Sequence, residues 1–137
     1  MRIPIYQIDA FSSQPFKGNP AAVCPLEEWL PDEVMQSIAM ENNLSETAFF
    51  IKNEDQYDIR WFAPKIEIDL AGHPTLATAH VIFNEMNHQG DSITFNSKIG
   101  DTLDITRNKD IIFMNFPSRA PKKIPNKELI EEAIGVE

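Results

Sequence analysis

Three short segments carry residue types that can do chemistry. In Ser45-Glu46-Thr47 a glutamate lies between the end of a predicted helix and the apolar run Ala48-Phe49-Phe50-Ile51. A carboxylate at the mouth of such a strand is partly desolvated. Desolvation disfavours the charged form, so the group is suited to take up a proton and return it. The plainer alternative is a solvated loop glutamate. The second segment is Asp69-Leu70-Ala71-Gly72-His73-Pro74-Thr75. Glycine permits close backbone approach, and proline fits a helix's first turn. The amides of Gly72, His73 and Thr75, with the helix dipole, make a place for a carboxylate or phosphate, toward which His73 could shuttle or donate a proton. Here the alternative is a capped helix start with His73 as a structural hydrogen-bonder. Gly18-Asn19-Pro20-Ala21-Ala22, the third, reads on its own as a tight turn into a strand of small residues. Neither G-x-G-x-x-G nor G-x-x-x-x-G-K occurs, so no phosphate-cradling loop is expected.

The remaining reactive side chains take blander roles. His73, His80 and His88 include no pair at the i, i+4 spacing of a zinc-binding helix, so no metal site is expected. His80 reads as a satisfied core histidine and His88 as a turn residue. Cys24 is the single cysteine, so no internal disulfide can form, and its apolar strand implies an inert buried thiol.

These segments need elements to position them. Residues 2–9 read as a first strand and Ala21–Cys24 as a short second one. A helix begins at Leu30-Pro31-Asp32-Glu33, where proline and two acids suit the first turn, and it ends at Asn42-Asn43. Thr47–Lys52 and Tyr57–Phe62, separated by Asn53-Glu54-Asp55, predict a β-hairpin. A second helix starts after Gly72-His73-Pro74 and runs to about Asn87. Its apolar residues surround it, as though a curved sheet wrapped it. Strands over Ser92–Ser97, Thr102–Thr106 and Ile111–Phe116 follow. Then Pro117, Pro121 and Pro125, with Arg119, Lys122, Lys123 and Lys127, form a stiff basic linker. Beyond it Asn126 could cap a short helix, Lys127–Ile134, ended by Gly135. The expected organisation is one lobe over 1–117, with 118–137 a linker and the opening of a second lobe.

Size and charge bound the function. With 137 residues, 42% hydrophobic, and nine Phe and two Trp, a packed core is expected. The net charge of -9 repels polyanions on average, so a small molecule or a protein partner is favoured over nucleic acid. The basic stretch Arg119–Lys127 could escape that argument, but an exposed solubilising tether explains it better. No apolar run reaches the roughly 20 residues of a membrane span, and MRIPIYQIDAF lacks a signal peptide's apolar core. A soluble, cytoplasmic protein with no membrane partner is the expectation.

Taken together, Gly18-Asn19-Pro20-Ala21-Ala22-Val23, Ser45-Glu46-Thr47-Ala48-Phe49 and Ala71-Gly72-His73-Pro74-Thr75 resemble, in order and spacing, the N-terminal lobe of the PhzF-like phenazine-biosynthesis family. Tyr6-Gln7-Ile8-Asp9-Ala10-Phe11 and Ile59-Arg60-Trp61-Phe62-Ala63-Pro64 also look like it. The resemblance implies an α+β, diaminopimelate-epimerase-like lobe, a curved mixed β-sheet wrapped around a central helix. It implies isomerase chemistry without a cofactor on a small carboxylate-bearing molecule. The family's catalytic glutamate falls on Glu46, its substrate-contacting Gly-His pair on Gly72 and His73, and its Asn-Pro turn, which lines the same cleft, on Asn19 and Pro20. Diaminopimelate epimerases, similar in fold, use two cysteines, and the position of the first is here Ala71. A single carboxylate suits a same-face proton shift better than inversion at carbon. Family members carry a second lobe that closes the cleft. This chain is therefore expected to be weakly active or inactive alone, and to pair with a separate C-terminal lobe or a second copy as a homodimer. A non-catalytic binding or interaction module that keeps the fold is the alternative.

Overall fold

The structure, a computed structural model, describes residues 2–123 and 127–135. Tyr6–Ala10 (β1) pairs antiparallel with Asn19–Leu26 (β2), and β2 runs parallel to Thr47–Asn53 (β3). The parallel pair needs a crossover, which helix Asp32–Asn42 (α1) supplies. The expected hairpin joins β3 to Gln56–Phe62 (β4), with Glu54 in the left-handed region at φ 54° to turn the chain. A two-residue strand, Glu67–Ile68 (β5), pairs with the end of β4. Helix Gly72–Asn84 (α2) then crosses to Ser92–Ser97 (β6), parallel to β4, and Thr102–Asn108 (β7) and Ile111–Asn115 (β8) follow antiparallel.

The strand order β1-β2-β3-β4-β6-β7-β8 curls. Helix α2 touches β1, β2 and β3 at one end of that order and β8 at the other, so the sheet wraps it. This is the α+β architecture expected, a curved mixed sheet around a central helix. The inner core joins Val81 and Ile82 of α2 to Val23, Phe50, Ile59, Trp61, Phe95, Leu103 and Ile105 of the strands. Each such fully buried side chain stabilises by about 1.5–3 kcal/mol relative to exposure. On the outer face α1 packs Met35 and Ala39 against Cys24, Phe49 and Phe62.

The boundaries differ from expectation where proline or length intervenes. The first strand begins at Tyr6 and not at residue 2, because Pro4 has no amide to give a ladder. The second helix includes Gly72 and His73 as its first turn and ends at Asn84, three residues early. β5 escaped prediction, since two residues carry no periodicity. His80 is a correction. It is exposed and not part of the core, and its Nδ1 lies 3.1 Å from Asn84 Nδ2. The sheet leaves one stripe of α2 uncovered, and His80 stands on it. His88 follows α2 and packs on Tyr57 and Phe83, its Nδ1 3.3 Å from the Tyr57 hydroxyl.

After β8 the chain has no regular structure up to residue 123, and Arg119 pairs with Asp101 at 3.2 Å. Lys127–Ile134 (α3) is helical and stops at Gly135, φ 70°. Its expected cap, Asn126, lies outside the described residues. No helix among the described residues is long and apolar enough to cross a membrane.

Candidate active site

Glu46 is fixed through its neighbours. α1 ends where Asn43 turns left-handed (φ 51°) and donates its amide to Ala39 O at 3.2 Å. Two residues later the chain meets the sheet. Ala22 N–H donates to Glu46 O at 3.3 Å, and Asn42 Nδ2 donates to Oγ1 of fully buried Thr47 at 3.1 Å. Alternation then sets the direction of the side chain. Ala48 and Phe50 face the inner core, so Glu46, two residues before Ala48, faces the same side, toward α2.

The first turn of α2 meets it there. Ala71, the N-cap, is extended (φ -139°, ψ 127°) and provides no side-chain cap, so the amides of Gly72 and His73 point out of the helix without one. His73 Nε2 lies 3.2 Å from Glu46 Oε2, with side-chain exposures of 10% and 19%. The distance is that of an ion pair, but the alignment is not that of a hydrogen bond, and Glu46 Oε2 is buried without a hydrogen-bond partner. Ser45 Oγ also stands 3.3 Å from Nε2. A buried oxygen with free lone pairs, an imidazole and an uncapped helix start therefore converge. Together they can hold an anion and exchange a proton with it.

The other predicted residues are less central. Asn19 is exposed at the start of β2, one strand from Glu46 at the same end of the sheet, and alternation with Ala21 and Val23 puts it on the α2 side. Gly18 before it cannot carry a side chain, because a Cβ would lie 2.4 Å from Ala10 O and 2.8 Å from the Asp9 carbonyl carbon. Thr75 is fully buried and its hydroxyl donates to Ala71 O at 2.6 Å, so that side chain serves the helix start. Gly72 is different: a Cβ there would meet nothing within 4 Å, so packing does not demand glycine and the space over its amide is open. Cys24 is buried, and burial pushes its thiol up to about 12.

A family model described as phenazine biosynthesis-like protein (PhzC-PhzF) matches residues 8–135. The chain belongs to this family. Among its relatives, an uncharacterized isomerase of Pseudomonas aeruginosa is 45% identical over 136 residues, which cover 99% of this chain and 52% of the relative. An uncharacterized isomerase of Halalkalibacterium halodurans is 48% identical over 136 residues, 96% of this chain and 50% of the relative. A PhzF family crystal structure from Enterococcus faecalis superposes with a TM-score of 0.86 at 48% identity, covering 100% of this chain and 52% of that one. The chain thus spans about half the length of the curated relatives it matches. A predicted epimerase from Pseudomonas aeruginosa, 23% identical with a TM-score of 0.66, shares the fold.

One cluster in this PhzF family chain went unread in the sequence. Arg60, 8% exposed on the outer face of β4, donates Nε and Nη2 to the two Glu67 carboxylate oxygens (2.7 and 2.9 Å) and Nη1 to Asp32 Oδ1 (2.9 Å). Lys98 adds a 2.7 Å contact to Glu67, and the guanidinium lies near the Trp29 and Phe62 rings. The hydrogen bonds from Arg60 hold both carboxyls below their ordinary range. An arginine within Ile59-Arg60-Trp61-Phe62 was the available signal, but nothing local named its partners.

Proposed function

We propose that this chain is the catalytic-glutamate lobe of a cofactor-independent isomerase, moving a proton on a small carboxylate-bearing substrate. Glu46 is the general acid/base. The amides of Gly72 and His73 hold the substrate carboxylate, and Asn19 lines the approach. The observation that carries this reading is the Glu46 Oε2 atom, buried yet free of hydrogen bonds beside His73. A buried acceptor left open is costly, of order 1–3 kcal/mol, and a substrate proton donor would offset that cost. The open space over Gly72 supports an incoming anion. Ala71 at the N-cap supplies no thiol, which favours a same-face proton shift by one carboxylate over inversion by two groups. The names of the isomerase relatives agree with this class of reaction.

The site faces outward, so a complete cleft requires a second lobe, either a separate C-terminal lobe or a second copy of this chain. Phe11 and Phe16, 70% and 94% exposed in the loop between β1 and β2 at the same end of the sheet, favour such pairing. Incubation with a cyclohexadiene carboxylate in heavy water tests the assignment. Deuterium should enter the ring with the wild-type chain once the C-terminal lobe of a relative is supplied beside it, and be lost with Glu46→Gln. No incorporation by wild type even when a relative's C-terminal lobe is added, or equal incorporation by the variant, removes the catalytic role and leaves a binding module.

A further inference from the structure

Ser45 touches the Glu46–His73 pair but takes no part in the proton transfer proposed for Glu46. Its Oγ lies 3.3 Å from His73 Nε2 in hydrogen-bonding alignment, whereas Nε2 is 3.2 Å from Glu46 Oε2 and makes no hydrogen bond to it. One ring nitrogen stands between two oxygens and serves the hydroxyl.

We propose that Ser45 is a positioning residue that holds the His73 imidazole off the carboxylate, so that Glu46 Oε2 stays free of hydrogen bonds until substrate arrives. Both tautomers give this result. If Nε2 carries the proton, its N–H is directed at Ser45 Oγ and not at Oε2. If Nδ1 carries it, the serine hydroxyl donates to Nε2, which then has no proton to offer the carboxylate. An aligned N–H on Oε2 would stabilise the carboxylate's charged form and weaken it as a base. A neutral hydroxyl at nearly the same distance removes that competition.

The local structure allows the arrangement. Ser45 precedes the strand and is exposed, so its side chain is free of core packing. Its backbone is bracketed by the left-handed Asn43 and by the Ala22 amide on Glu46 O, which fixes where the hydroxyl can reach. The hydroxyl is therefore held within reach of the ring without contributing to the core.

This inference rests on Glu46 being the base, and the experiment separates the two claims. The imidazole 15N signals of His73 are compared in the wild-type chain, Ser45→Ala and Ser45→Thr, with the amide spectrum as the check on folding. Ser45→Ala should shift the Nε2 signal by several ppm and slow solvent exchange of its proton roughly tenfold, as the ring turns onto the buried carboxylate. Ser45→Thr, which keeps the hydroxyl, should restore the wild-type signals. In the heavy-water assay Ser45→Ala should lower kcat roughly tenfold with KM unchanged, a loss confined to the transition state. Ring signals in Ser45→Ala that match wild type overturn the proposal for the serine. Deuterium incorporation that survives Glu46→Gln overturns the base assignment instead, whatever the ring signals do.

Discussion

Two regions of this lobe bring carboxylates to nitrogen groups, and they are built on opposite terms. Around Arg60 the charges are matched. The guanidinium spans Glu67 and Asp32, Lys98 closes the ring of charges, and two aromatic side chains flank the guanidinium. The cluster ties α1, β4, β5 and the turn after β6 to one another on the sheet's outer face. Around Glu46 the matching stops short, since an oxygen is buried with an imidazole 3.2 Å away and still lacks a hydrogen bond. In the first region all three guanidinium nitrogens already donate to carboxylate oxygens, although the cluster borders a surface cleft lined by Trp29, Arg60 and Lys98. The second is open, next to helix amides that no side chain caps. In this molecule the matched charges and the unpartnered carboxylate oxygen are kept on opposite faces of one sheet.

The largest expected effects come from breaking each region in turn. Glu46→Gln should reduce proton exchange by about 10²–10⁴-fold. Its thermal midpoint should stay near that of wild type, because no hydrogen bond of Oε2 is lost. Arg60→Ala should do the reverse. It takes two hydrogen bonds from the Glu67 carboxylate, leaving it to Lys98, and removes packing between Trp29 and Phe62, costing about 3 kcal/mol in chemical denaturation. Exchange per folded molecule should be unchanged. A Glu46→Gln chain that unfolds readily, or a folded Arg60→Ala chain without activity, would invert the comparison.

The two regions also differed in how far the sequence disclosed them. The hairpin was legible because a polar Asn53-Glu54-Asp55 turn separates two apolar runs, and α2 because its apolar residues leave no polar face. Glu46 and His73 were each marked by local chemistry, but their meeting depended on family resemblance, since the segment that begins at Ser45 lies 28 positions before His73. Arg60 and Asp32 are equally distant, and no motif joined them. Long-range charge pairing leaves no periodic trace. His80 was misread for a related reason: a helix that is apolar all round does not reveal which stripe the wrapping sheet leaves uncovered. Ser45 sits inside the Ser45-Glu46-Thr47 segment, but nothing in the sequence tells of its 3.3 Å approach to the imidazole.

A smaller effect tests how the open site is framed. Gly18 closes the loop between β1 and β2 immediately before Asn19, and the space for a Cβ is filled by backbone of Ala10 and Asp9. Backbone cannot swing aside as a flexible side chain would. Gly18→Ala should therefore destabilise by about 2 kcal/mol in denaturant unfolding. Gly72→Ala, where a Cβ would meet nothing, should be tolerated within about 0.5 kcal/mol, so that any loss of exchange there reports on ligand approach. Equal destabilisation by the two would remove the distinction between a glycine held by packing and one kept for access.

The smallest effect at neutral pH, and the one that best separates the charge-matched region from the open one, is a dependence on acid. Arg60 holds the Glu67 and Asp32 carboxyls below their ordinary values of 4.5 and 3.8, chiefly through direct hydrogen bonds. A carboxyl depressed in the folded state stabilises it fully above the unfolded value, and that contribution is lost as pH falls through the folded value. Asp32 is well exposed, so solvent screens much of its share, and Glu67 carries most of the effect. Glu67→Gln should thus flatten the loss of stability between about pH 5 and pH 3. Unfolding midpoints measured across that range would check it. If the variant lost stability as steeply as wild type, the acid-sensitive element would lie elsewhere than in the Arg60 cluster.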